Sequence, residues 1–420
     1  MDKVSSTQSL MRIDGKRLWG SLMDLAQIGA TKKGGVCRLA LTELDRQGRD
    51  LFVRWAQEAG CSVRIDQIGN IFARREGRDA TLPPVLTGSH IDTQPTGGKF
   101  DGNYGVLAGL EVLRSLNDRN IQTRAAIEVV VWTNEEGSRF VPVMMGSGVF
   151  VDAFGLDGVL KQKDTEGLSV GDELKKIGYA GKTPAKHFPI KAYFEAHIEQ
   201  GPILEATDTP IGVVTGALGQ RWYDVVIAGM EAHAGPTPMD MRQDALLAAA
   251  RLIQSVNQLA LNHAPDARST VGWIDAYPNS RNVIPGTVRL SVDLRAANDH
   301  VLDQLDAGLK SACAQLDADG RVRMQLEQVV YFPPQPFDAD MVGAVRQASQ
   351  RLGLPSRDIV SGAGHDAVYL ARVAPAAMIF IPCKDGISHN EIEDALPEHI
   401  EAGGNVLLQA MLQAAGIVNV

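Results

Sequence analysis

The sequence predicts an α/β protein in which a mixed-sheet domain is interrupted by an inserted ferredoxin-like α+β domain. Three observations carry this reading. Strand-length apolar runs alternate with helical patterns over residues 14–199. Near residues 212–219 the pattern changes to its own order of strand, helix, two strands, helix, strand. At 420 residues the chain also exceeds one ordinary core, so two domains are expected.

Each element follows from local pattern. Leu18, Leu22 and Leu25 recur at helical spacing within a helix expected over 14–29. A second helix, over 42–59, stops at Gly60. Residues 63–72 alternate like a strand, and 85–89 form a short apolar run that ends at His90. Val106, Leu110 and Leu113 share one face of a helix over 103–116. Residues 127–132 read as a strand covered on both faces. In 193–199, Phe194, Ala196 and Ile198 point one way, and Glu195, His197 and Glu199 the other.

The inserted domain is expected to place strands at 222–227, 270–275, 287–295 and 322–330, with helices at 240–259 and 299–316. Residues 331–336 then read as a return linker. A helix at 340–352, a strand at 376–382 and a closing helix at 399–415 complete the chain. The outer domain is therefore discontinuous, 1–214 with 332–420, around an insertion at 215–331.

Composition excludes several classes. Hydrophobic content of 45% and charged content of 22% are those of a globular chain rather than a disordered one. A net charge of −9 argues against a nucleic-acid partner. No apolar run is long enough to span a membrane, and residues 1–10 are too polar for a secretory signal. Cys37, Cys61, Cys313 and Cys383 are scattered, as reduced thiols of a cytoplasmic protein would be.

The chemistry lies in a few strings. Ser89-His90-Ile91-Asp92 and Thr133-Asn134-Glu135-Glu136-Gly137 each follow a buried strand. Lys99-Phe100-Asp101-Gly102-Asn103 lies between them, and His197 and His389 come later. Three imidazoles with several carboxylates suffice for a two-metal hydrolytic site. A carboxylate shared between two ions holds them roughly 3.5–4 Å apart, with a strongly nucleophilic hydroxide between them. Gly102 leaves the backbone free to turn Asp101 inward. Asp92 is placed to hydrogen-bond the far imidazole nitrogen of His90 and fix its tautomer.

From about Gly15 to the C-terminus, these strings and their order resemble the M20-type metallopeptidase superfamily, in its hydantoinase/carbamoylase branch. The likeness is dense at residues 88–102, 134–140, 235–239, 279–286 and 361–366. It implies two divalent metal ions, with zinc first and manganese, cobalt or nickel able to serve. His90 and His197 would hold one ion and Glu136 and His389 the other, with Asp101 bridging. Glu135 would be the general base.

The resemblance also implies a small anionic ureido substrate. An arginine suits its carboxylate, and Arg295 matches the family position. Gln200, His233 and Asn282 match further polar contacts. The insertion would act as a lid and dimerisation domain, making a homodimer that lends residues across its interface. The implied activity is hydrolysis of N-carbamoyl amino acids. Allantoate hydrolysis is the alternative, followed by a dipeptidase or aminoacylase. A silent binding protein and a Ser-His-Asp acyl transferase are disfavoured.

Overall fold

The computed structural model describes residues 10–265 and 267–418; the start of the chain, read above for a signal, lies outside them. The chain divides into two compact units. One comprises the described residues up to Thr215 and from Phe337 onward, the other Gly216–Pro336.

A nine-stranded mixed sheet runs in the order Ser62–Ile65, Ile71–Arg75, Ile127–Trp132, Val85–His90, Ala192–Ile198, Ala376–Ile381, Ile211–Ala217 and Gln335–Pro336, with Ser356–Ser361 beside Ile211–Ala217. The four strands from Ile127–Trp132 to Ala376–Ile381 are mutually parallel, and their flanks are antiparallel. Every residue of these four is buried. Helix Asn103–Asp118 packs on Val85–His90 and helix Pro397–Ala415 on Ala376–Ile381. Cover on both faces suits the apolar majority of these strands, and their polar members, Thr87, Ser89, His90, Glu128, Glu195 and His197, are buried with them.

Several expectations shift in detail. The strand expected over 63–72 is a hairpin, Ser62–Ile65 and Ile71–Arg75. Asp66 makes the turn by accepting the N–H groups of Ile68 and Asn70. The helix expected over 240–259 begins only at Ala245, where Asp244 accepts from the N–H groups of Leu246 and Leu247. The start of the expected linker is instead the end of strand Arg323–Phe332. The sequence reading did not single out strands Ile211–Ala217 and Ser356–Ser361.

The second unit holds a four-stranded antiparallel sheet in the order Arg323–Phe332, Gly219–Ala228, Thr287–Ala296, Ala267–Tyr277. This is the ferredoxin-like order, with helices Ala245–Leu261 and Asp299–Ala318 on the sheet. Val288, Leu290, Val292 and Leu294 alternate inward along the third strand and pack with Leu252, Leu302, Leu305 and Leu309.

Candidate metal centre

Parallel strands end on one edge of their sheet, and the motif residues collect at that edge. His90 closes Val85–His90, in register with Trp132. Glu135 and Glu136 follow Ile127–Trp132. His197 lies near the end of Ala192–Ile198, and His389 in the loop beyond Ala376–Ile381. Asp101 sits in the turn before helix Asn103–Asp118. Gly102 turns that corner at φ +66°, and a Cβ on it would collide with the His90 ring. Both conditions require glycine.

Asp101 is shared between two groups of donors. Its Oδ1 is 3.1 Å from His197 Nε2 and 3.6 Å from His90 Nε2. Its Oδ2 is 3.4 Å from His389 Nε2, which in turn lies 3.2 Å from Glu136 Oε2. In the His90, Asp101, His197 group, and in the Asp101, Glu136, His389 group, the donor atoms all lie within 4.8 Å of one another. Imidazoles and carboxylates around a common carboxylate fit a pair of divalent ions.

The tautomers agree. The Nδ1 atoms of His90 and His197 lie 2.9 Å from the carbonyls of Asp92 and Ile198. A carbonyl can only accept, so each Nδ1 carries hydrogen and each Nε2 faces Asp101.

The electrostatics make the same demand for positive charge. Burial pulls His90 down, but Glu135, Asp101, Asp92 and Glu136 outweigh it and hold the imidazole well above its ordinary pKa. The hydrogen bond that His389 donates to the Glu136 carboxylate raises the imidazole to about 9. Burial pushes Asp101 up, but His197 and His90 overcome it and hold the carboxyl well below its usual range. Carboxylates that draw protons onto three imidazoles would bind divalent cations for the same reason. Burial pushes Glu135 the other way, well above the carboxylate range, with the His90 charge opposing. Its Oε2 is 3.5 Å from His90 Nε2, yet it belongs to neither donor group.

Asp92 differs from its expected contact. Its carboxylate is 3.9 Å from His90 Nδ1, and its backbone carbonyl takes that hydrogen bond instead. The carboxylate accepts the backbone N–H groups of Glu135 and Glu136. Gln200 lies with the donors: its amide donates to Asp101 Oδ2 at 2.9 Å and to Ser388 Oγ at 3.2 Å. The His365 ring, from the resembled 361–366 string, packs 4.5 Å from His197, centroid to centroid.

His233, Asn282 and Arg295 belong to the second unit. His233 and Asn282 come together: the residues beside them, Ala234 and Val283, pair with Asn282 and His233 in turn. Arg295 stands apart, near the far end of strand Thr287–Ala296, and donates to Asp293 at 2.9 Å.

The sequence reading missed several supporting residues. Gln94 donates to both oxygens of Glu136, from its backbone at 3.1 Å and its amide at 2.8 Å. Glu393, buried, accepts the N–H groups of Phe100 and Asp101 and bonds Ser388. Nothing local marks Glu393; it acts through a loop closure between distant parts of the chain. Asn134, Gln200 and His389 all have φ between 53° and 57°. Such backbone costs about 1–3 kcal/mol per residue and gathers at functional sites. A Gly-x-Ser-x-Gly string does occur, at Gly167 to Gly171, but Ser169 only caps helix Val170–Lys176 and bonds Asp172.

Comparison with known proteins shows the family. The family described as Peptidase family M20/M25/M40 matches residues 86–413. An N-carbamoyl-L-amino-acid amidohydrolase of Rhizobium meliloti is 47% identical, covering 97% of this chain and 98% of its own. An allantoate amidohydrolase of Bacillus subtilis is 36% identical over 93% of this chain and 95% of its own. A crystal structure of an amidase of the hydantoinase/carbamoylase family from Burkholderia multivorans is 61% identical. It superposes with a TM-score of 0.94 over 96% of this chain and 98% of its own. With a shared-carboxylate donor set at the sheet edge and matches along almost its whole length, the chain belongs to peptidase family M20/M25/M40, in its hydantoinase/carbamoylase branch.

Proposed function

We propose that the chain is a metal-dependent hydrolase that removes the N-carbamoyl group of small amino acids, yielding the amino acid, carbon dioxide and ammonia. The observation that carries this is Asp101, which offers one oxygen to each donor group while Glu135 stands 3.5 Å from His90 and belongs to neither. The relatives named for carbamoyl amino acids support the ureido substrate.

His90, His197 and Asp101 would hold one ion and Asp101, Glu136 and His389 the other, with zinc first and manganese, cobalt or nickel suited to the same donors. When bound, such ions polarise a carbonyl oxygen and lower the pKa of water. Glu135 takes a proton from the attacking water and returns it to the leaving nitrogen as the C–N bond breaks. The remaining carbamate decomposes, so one water and one ureido acid give amine, carbon dioxide and ammonia. Burial keeps the Glu135 carboxyl basic enough to accept that proton. Asp92 aims it by holding its backbone N–H.

Arg295 would grip the substrate carboxylate with its planar fork. From Thr287, at the end nearer His233 and Asn282, to Arg295 is about 26 Å at the usual strand rise. A small ureido acid cannot bridge that span, so Arg295 would serve one substrate and His233 with Asn282 another. This arrangement suits a homodimer that shares its sites. Edge strand Ala267–Tyr277, with Trp273 and Ile274 exposed, supports pairing of two copies. The free cysteines fit a cytoplasmic setting.

Allantoate is the second reading, favoured by the Bacillus subtilis relative. A panel of N-carbamoyl-L-amino acids, N-carbamoyl-β-alanine and allantoate, read by ammonia release, decides between them. Turnover confined to allantoate, or to peptides outside the panel, overturns the leading reading.

A further inference from the structure

Arg38 is fully buried, and among the described residues no carboxylate pairs with it. Its guanidinium is nevertheless spent on chosen oxygens. Nε donates to the Ile91 carbonyl at 2.7 Å. One terminal nitrogen donates to Asn103 Oδ1 at 2.6 Å. The other donates to the carbonyls of Leu25 and Ile28 at 3.0 and 2.7 Å. Its backbone is tied to the same loop, since Arg38 N–H donates to Thr93 Oγ1 and its carbonyl accepts the Thr93 N–H.

Ile91 stands next to His90, and Asn103 two positions after Asp101. One planar cation thus spans the two chain segments that bring these ligands together, while helix Gly15–Ala26 braces it from behind through Leu25 and the following Ile28. Burial pulls the guanidinium down to about 10, still cationic at neutral pH, with the fields of Asp45 and Asp92 supporting it. A buried cation is expensive unless its donors are met, and here the groups that meet them are the neighbours of the ligands.

We propose that Arg38 is a positioning residue of the metal centre, setting the approach of His90 to Asp101 by clasping the residue beside one and the helix start beside the other. The proposal rests on the two-ion reading above. Lysine at this position keeps the charge but loses the fork, so Arg38→Lys separates the two.

The test is a stepwise Co2+ titration of the full chain, followed by visible absorption, with Val345→Ala in helix Ala339–Leu352 as a buried control outside the centre. Arg38→Lys is expected to weaken one Co2+ step by about 10–100-fold, as outer contacts of metal ligands do, and to shift its absorption bands. Val345→Ala should lower Tm and bind Co2+ as the unaltered chain does. If Arg38→Lys does not fold, Asn103→Ala cuts the same link from the other side and should weaken the same step. Unchanged Co2+ affinity and bands in the folded variant overturn the proposal and leave Arg38 a core support. If the unaltered chain takes up no Co2+, the metal reading itself fails, and this inference with it.

Discussion

Asp92 accepts the backbone N–H of Glu136 through Oδ2 at 3.2 Å, and that of Glu135 through Oδ1 at the same distance. One carboxylate therefore fixes the orientation of both the expected base and an expected ligand. Burial pushes the Asp92 carboxyl up to about 6, with the His90 charge opposing. Asp92→Asn replaces one acceptor with an amide that faces an N–H. Metal affinity and kcat should each fall about 10–100-fold, measured by metal titration and steady-state kinetics. Unchanged values would mean that the loop holds its shape without this contact.

Glu135→Gln keeps the size of the side chain and removes its proton acceptor. Loss of a general base should lower kcat by about 10²–10⁴-fold while metal content by elemental analysis stays constant. A variant that loses an ion would reverse the roles of Glu135 and Glu136.

Arg295→Ala should raise KM for carbamoyl amino acids. A hydrogen bond to a charged group is worth about 1.5–3 kcal/mol net, or roughly ten- to a hundredfold or somewhat more in kcat/KM. The substrate's uncharged amide should be affected little, and equal losses for both would remove the carboxylate role. Because Arg295 lies on the second unit with its own partner, Asp293, its local fold should survive the change.

Mixing Arg295→Ala with Glu135→Gln protein tests sharing between subunits. If Arg295 reaches across the dimer to its partner's centre, each hybrid holds one intact site and activity should return. Demonstrated subunit exchange with no recovery would confine Arg295 to its own protomer's site.

Parallel core strands such as Ile127–Trp132 and Ala376–Ile381 were readable because burial on both faces selects largely apolar runs. Their ends were readable because His90 and the Glu135-Glu136 pair interrupt such runs. The hairpin turn at Asp66 was not, since alternation continues on both sides of it and only the Asp66 carboxylate's bonds reveal the break. Arg38, Gln94 and Glu393 were also hidden. Their partners are backbone groups and side chains far along the chain, and no local spacing records such contacts. The ligand assignment came chiefly from resemblance, because a histidine or an Asp-Gly pair alone says little. Around Asp101 the structure shows two groups of donor atoms close enough to hold metal ions.

The most direct measurement is ammonia release from an N-carbamoyl-L-amino acid before and after prolonged chelation, with elemental analysis of each sample. The expected result is loss of hydrolysis along with the ions and recovery on adding a divalent transition metal, near two equivalents per chain. Full activity in protein shown to contain no metal would contradict the account.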